Sequence, residues 1–216
     1  TIFYPSKIAV FGVSNTPHNL ARITVENLDR FGFSGQIFPF GAKKGVLGKR
    51  TINASIHDID DTPDLAVILV PGRFAPQALE ACGKKGVRHV IIESGGFTEF
   101  EEGKRVLEEY IQTIAKKYNI QVIGPNCFGV INLDAGVVVP FFIINPDYMK
   151  KGGFSLVSQS GGIFYDTCML ASCEGIGLGK LMSIGNKLLT NEVTCIEYLI
   201  NDEQTSVIGL YLENFT

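Results

Sequence analysis

Residues 64–93 read DLAVILVPGRFAPQALEACGKKGVRHVIIE. Asp64 to Val70 is apolar on both faces, the pattern of a strand buried inside a parallel sheet. Pro71-Gly72 ends it. Ala75 to Lys85 then reads as a helix closed by Gly86, and His89 to Glu93 as the next buried strand. A strand, a crossover helix and a second strand make a right-handed parallel unit. The same alternation extends both ways. Upstream, Lys7 to Phe11 reads as a strand and Gln36 to Phe40 as another. Between them Asn19 to Phe31 carries Leu20, Ile23, Val25, Leu28 and Phe31 at helical spacing. Downstream come a charged helix from Glu99 to Tyr118 and a strand from Gln121 to Ile123. This is an α/β chain with a parallel sheet.

Composition fits a globular protein. The chain has 216 residues, 45% hydrophobic and 19% charged, enough to bury a core. The formal charge of −3, from 19 basic and 22 acidic residues, argues against a broad nucleic-acid footprint. Glycine is abundant, 24 residues, and follows no Gly-X-Y period, which points to tight turns and close backbone approaches. No apolar run reaches the ~20 residues of a membrane span, and Thr1 to Phe11 does not read as a signal peptide. The five cysteines are odd in number and form no Cys-x-x-Cys pair, so neither disulfides nor a metal site is expected, and a cytoplasmic location is.

The alternation breaks over PFFIINPDYMKKGG, Pro140 to Gly153. It restarts with strand Phe154 to Val157, helix Ile163 to Glu174, strand Lys180 to Ser183, helix Glu192 to Asn201 and strand Ser206 to Leu212. We expect one domain over 1–140, a linker over 141–153, and a second domain from 154 to 216. A doubly wound domain continues past such a strand, so the second domain is expected to be truncated.

In an open parallel sheet, ligands sit at the carboxyl ends of the strands. The first such turn, Gly12-Val13-Ser14-Asn15-Thr16-Pro17, lacks the Gly-x-Gly-x-x-Gly spacing but still permits an anion site at the helix start. The second strand ends without the acid that an NAD ribose needs and is followed by Lys43-Lys44, which suits a ribose phosphate. NADP and coenzyme A both remain open. Val70-Pro71-Gly72-Arg73-Phe74, Glu93-Ser94-Gly95-Gly96-Phe97 and Gly124-Pro125-Asn126-Cys127-Phe128-Gly129 complete one rim, which suggests a long ligand laid across it. In the second half, Ser158-Gln159-Ser160-Gly161-Gly162 opens a helix and makes a small anion nest. It lacks a P-loop lysine, so a phosphoryl group is the expected occupant. The three histidines, His18, His57 and His89, all lie in the first half. Cys127 reads as a small buried residue.

These turns, in this order, resemble the alpha part of the nucleoside-diphosphate-forming acyl-CoA synthetases, such as ADP-forming acetyl-CoA synthetase and, more distantly, the succinyl-CoA synthetase alpha subunit. The distinguishing pieces are Gly124-Pro125-Asn126-Cys127-x-Gly129, the Ser158 to Gly162 turn, Ser183-Ile184-Gly185-Asn186-Lys187 and Tyr211-Leu212-Glu213. The resemblance implies a Rossmann-like CoA-binding domain followed by a flavodoxin-like domain with a parallel sheet. It implies a ligase that interconverts acid, CoA and NTP with acyl-CoA, NDP and phosphate through an acyl phosphate and a phosphohistidine. By position, Gly12, Val13, Ser14, Asn15, Lys43, Val70, Pro71, Gly72, Phe74, Ser94, Gly95 and Asn126 resemble the CoA contacts. Ser160, Gly161 and Gly162 resemble the phosphate turn, and Glu213 the carboxylate that orients the histidine. That histidine lies beyond Thr216 in the family, so the fragment alone is expected to be inactive. ATP or ADP and Mg would enter only through a separate ATP-grasp domain or subunit, and the full-length form is expected to be oligomeric. Two other readings stay open: a non-catalytic CoA-sensing module, and an NADP-binding oxidoreductase domain.

Overall fold

The computed structural model describes residues 2–96 and 105–215. In chain order the first half contains strand β1 (Lys7–Phe11), helix α1 (Leu20–Arg30), strand β2 (Gln36–Phe40), a small antiparallel hairpin of β3 (Gly45–Leu47) and β4 (Arg50–Ile52), and strand β5 (Leu65–Ile68). Helix α2 (Ala75–Lys85), β6 (His89–Ile92), α3 (Arg105–Tyr118) and β7 (Gln121–Ile123) follow. The part of the expected long helix over 99–104 lies outside the described residues. β2, β1, β5, β6 and β7 form one parallel sheet in that order.

The two-residue period of the strands explains how this sheet is covered on both faces. Ile8, Val10, Leu65, Val67 and Ile91 point to one side, where Ala21, Val25 and Leu28 of α1 meet them. Ala9, Ala66, Ile68, Val90 and Ile92 point to the other and pack on Leu79 and Cys82 of α2 and Ile111 and Ala115 of α3. β5 is buried at every residue, as its uninterrupted apolar run requires. Side-chain caps fix where helices begin: Asn19 Oδ1 accepts from the Arg22 amide at α1. Gly86, at φ 96°, closes α2.

The second half holds β8 (Val130–Asn132), β9 (Val137–Val138), β10 (Lys150–Ser158), α4 (Gly161–Glu174), β11 (Gly177–Ser183), α5 (Glu192–Ile200) and β12 (Val207–Tyr211). Its sheet runs β12-β10-β11-β8-β9. β10 is parallel to β11 and to β12, as expected. The sheet as a whole is mixed, because β8 pairs antiparallel with β11 and β9 antiparallel with β8. The expected parallel strands are β10, β11 and β12, and the antiparallel β8–β9 hairpin extends their sheet. The hairpin VINLDAGVV is too short and too uniformly buried to show a strand alternation, so its sequence hides it. It covers the β11 edge, which would otherwise expose unpaired backbone groups.

The expected boundaries shift for the same reason. Residues 130–138, placed by sequence at the end of a first domain, hydrogen-bond into the second sheet. Within the expected linker, Pro146–Tyr148 forms a short 3-10 turn and β10 begins at Lys150. One apolar cluster runs through both halves, joining Val10, Val67 and Ile123 to Val130, Val157, Met182 and Leu199.

Candidate functional site along one rim

The carboxyl ends of the first sheet form a rim, and the strand order reverses between β1 and β5. There, where ligands of such sheets bind, a cleft of about 710 Å³ opens. Gly12, Val13, Ser14, Val70, Pro71 and Phe74 line it, so six of the twelve predicted rim residues meet in one place. Asn15, Lys43 and Gly72 are not on its walls. Lys43 is exposed. Phe40 and Gly41 at the end of β2 also line it, and other lining residues had no signal in the sequence: Ala54, Ser55 and Ile56 before and within a 3-10 turn, and Gln77, Ala78 and Ala81 of α2. Small and apolar side chains prevail, which suits a flat heterocycle. The Arg73 guanidinium lies over the Phe74 ring at 4.7 Å from its centroid.

The first turn spends its leading amides within the protein. The amides of Gly12 and Val13 both donate to the Phe40 carbonyl at 2.9 Å. The Ser14 amide donates to Asn19 Oδ1 at 3.2 Å. All three donors are committed within the protein. Gly12 itself is required by packing: at φ 96° a Cβ would meet the Leu69 carbonyl oxygen at 2.2 Å. Its absence of side chain serves the β1–β5 contact before it serves a ligand.

Further along the rim, Ser94, Gly95 and Asn126 come together where β6 and β7 end. The Asn126 amide donates to the Ser94 carbonyl at 3.0 Å. The Ser94 hydroxyl is buried and donates to the Ile68 carbonyl at 3.2 Å, a structural bond. Asn126 holds φ 57° and keeps an exposed side chain, whose amide reaches Asn186 Oδ1 at 3.4 Å. Phe97 lies outside the described residues. Beneath this junction Glu93 is buried with neither carboxylate oxygen hydrogen-bonded, and burial drives its carboxyl well above the usual range. Cys127 is also buried beside the Ile92 carbonyl, and burial, reinforced by Glu93, pushes its thiol far up. It is no thiolate nucleophile.

A second cleft, of about 350 Å³, starts at Asn126 and reaches the second sheet. Ser160, Gly161, Gly162 and Glu213, all four residues predicted in the second half, line it together with Phe128, Gln159, Gly185 and Asn186. Ser160 caps α4, its hydroxyl accepting from the Ile163 amide at 3.3 Å, so the first amides of that helix and the positive end of its dipole face the cleft. Gln159 Oε1 accepts from the Glu213 amide at 3.0 Å and sets that residue over the turn. The sequence motif at 183–187 gains a role here that its spacing did not reveal. Buried Lys187 donates to Glu192 Oε2 at 3.0 Å and to the Asn214 carbonyl at 2.6 Å, tying down the segment that carries Glu213. None of the three histidines lines this cleft.

The fold is an α/β architecture with one cleft at the β1–β5 reversal of the first sheet and a second that begins at Asn126 and is bordered by the α4 turn. A family model described as a CoA binding domain matches residues 6–132, and one described as a succinyl-CoA ligase like flavodoxin domain matches residues 151–216. The chain belongs to this CoA-binding family and pairs its domain with the ligase-like one, as in the alpha part of the ADP-forming acyl-CoA synthetases.

Acetate–CoA ligase [ADP-forming] of Methanocaldococcus jannaschii is 39% identical over 98% of this chain and 29% of its own length. The alpha subunit of acetate–CoA ligase [ADP-forming] I of Pyrococcus furiosus is 37% identical over 98% of this chain and 46% of its own. The solved structure of the dinucleotide-forming acetyl-coenzyme A synthetase 1 of Ca. Korarchaeum cryptofilum, in complex with phosphate and ADP, superposes with a TM-score of 0.92 at 31% identity, covering 99% of this chain and 45% of that one. The chain thus spans from under a third to just under half of these relatives. Among the described residues no helix is long and apolar enough to cross a membrane.

Proposed function

We propose that this chain binds coenzyme A along the rim and forms the CoA- and phosphate-handling part of an ADP-forming acyl-CoA synthetase. The observation that carries this is that both clefts lie at the carboxyl ends of the strands, the first at the β1–β5 reversal and the second beginning at Asn126 just after β7. From β5, at the first cleft, to β7 is two strand spacings, about 10 Å, and Asn126 stands where the second cleft begins. A ligand with a ring at one end and a thiol at the other fits that course.

The apolar walls around Phe74, Ile56 and Ala78 would take the adenine. The middle of the ligand would pass Gly95 and Asn126. Its sulfur would arrive beside the α4 amides, which stabilise the charge of phosphate or of an acyl phosphate. Glu213 would orient a histidine contributed from outside these 216 residues and favour its protonated ring. Nucleotide and Mg would be handled by an ATP-grasp domain or subunit, in an oligomeric assembly in the cytoplasm. The alpha-subunit organisation of the Pyrococcus relative supports that division of labour.

Because the Gly12 and Val13 amides are committed to Phe40, the CoA phosphates would rely on side chains, Lys43 among them, rather than on that turn. Calorimetry of the chain with CoA, dephospho-CoA, NADP and NAD tests the reading. CoA is expected to bind at least tenfold more tightly than either dinucleotide, and dephospho-CoA more weakly than CoA. NADP binding more tightly than CoA would instead support an oxidoreductase domain.

A further inference from the structure

Among the described residues lining the second cleft, the ring of Phe128 is the one large apolar surface for the organic part of an acid held by the α4 amides. The rest of the second cleft is glycine or polar: Gln159, Gly161, Gly185 and Glu213 among them. The ring does not move freely. The Phe128 amide donates to Ser183 Oγ at 3.0 Å, which fixes the backbone. Phe141 meets the ring edge-on at 4.7 Å between centroids, and Phe142 and Phe164 flank it at 5.5 and 6.5 Å. It also lies directly against the anion turn, so close that a Cβ on Gly161 would meet ring atoms at 3.0 Å. A carboxyl or acyl-phosphate group at that turn therefore places its own substituent against Phe128. The cleft's volume, about 350 Å³, is in the range of small-molecule sites.

Resting on the CoA reading above, we propose that Phe128 is the specificity-determining wall of an acyl subsite, and that this subsite prefers flat aryl or branched apolar acyl groups to acetyl. A locked ring with other aromatic rings behind it offers a face for stacking and an apolar surface that a two-carbon group scarcely covers. Rigidity adds selectivity, because the wall cannot collapse onto a small substituent.

The test is the affinity of the full chain for CoA, acetyl-CoA, isobutyryl-CoA and phenylacetyl-CoA, with each thioester expressed as a ratio to free CoA. The ratio cancels any general effect on CoA binding. Phenylacetyl-CoA is expected to bind about tenfold more tightly than acetyl-CoA. Phe128→Ala should reduce that preference to under threefold, and Phe128→Leu, which keeps apolar volume and guards against misfolding, should retain the isobutyryl but not the phenylacetyl preference. Equal affinity of the thioesters for the unaltered chain would overturn the proposal, as would a preference that persists in both variants. Failure of free CoA to bind would overturn the underlying CoA reading, and the acyl subsite with it.

Discussion

Glu93 shows how a residue's type is legible in sequence while its state is not. It stands at the end of β6, in a turn correctly read as part of the rim, yet both of its oxygens are buried and without a hydrogen-bond partner. Burial raises its folded pKa, so between the ordinary Glu value of about 4.3 and that higher value the folded state holds a proton the unfolded state has lost. Stability therefore falls as pH rises through that window. Glu93→Gln should remove this slope and melt at a higher temperature than the unaltered chain at pH 8, with the gap closing toward pH 4. Melting curves with parallel pH dependence would contradict it. Gly12 carries the same lesson in reverse. Its identity pointed to a ligand, and its Cβ position points to Leu69, so Gly12→Val would disturb the β1–β5 junction whatever binds. Glu213 is exposed, and its backbone amide is held by Gln159. In an assembly that supplies the histidine, Glu213→Gln should slow histidine phosphorylation by roughly 10²-fold with CoA affinity unchanged, as read by phosphate incorporation and calorimetry.

Elements with long periodic patterns were readable, and short ones were not. α1, α2, β1, β2 and β7 fall where their apolar spacing and end signals put them. The hairpins β3–β4 and β8–β9 were missed, because strands of two or three residues carry no period to detect; β7, equally short, was legible from the strand–helix alternation it completes after α3. The 183–187 motif was visible, but the chemistry of its lysine came only from a contact 27 residues away in sequence, at the Asn214 carbonyl. That contact makes a prediction for the loop before α5. Lys187→Met removes the ammonium partner of the buried Glu192 carboxylate and should cost about 3–5 kcal/mol, whereas adding Glu192→Gln should recover part of the loss. Denaturant titration of both single variants and the double variant gives the coupling. Additive losses would mean that the pair is not the source of the stability.

At the scale of the whole molecule, two sequence-defined domains share one interior. The apolar cluster that begins at Ile8 and Val10 continues through Val130 and Val137 to Met182, Cys195 and Leu199. Buried polar contacts cross the same seam: Asn27 Nδ2 donates to the Pro140 and Phe142 carbonyls at 2.8 Å each, and Asn132 Nδ2 to the Phe3 carbonyl at 2.9 Å. The chain should therefore unfold in one cooperative transition, with fluorescence and circular dichroism midpoints coinciding. Two separated transitions would show that the shared interior contributes little coupling.

The β8–β9 hairpin has a consequence for recombining this chain with its relatives. By sequence it follows the first sheet, and by hydrogen bonds it belongs to the second, with Lys180, Leu181 and Met182 opposite Asn132, Ile131 and Val130. A chimera joined in the proline-rich stretch after Val139 would force one parent's hairpin onto the other parent's β11, with side chains that never coevolved facing each other across the ladder. A crossover ahead of Val130 keeps the hairpin with its partner strand and moves the seam to the Asn126 junction, where far fewer ladder contacts are cut. Gene fusion or domain exchange in this architecture should accordingly succeed at the upstream joint and give insoluble protein at the downstream one.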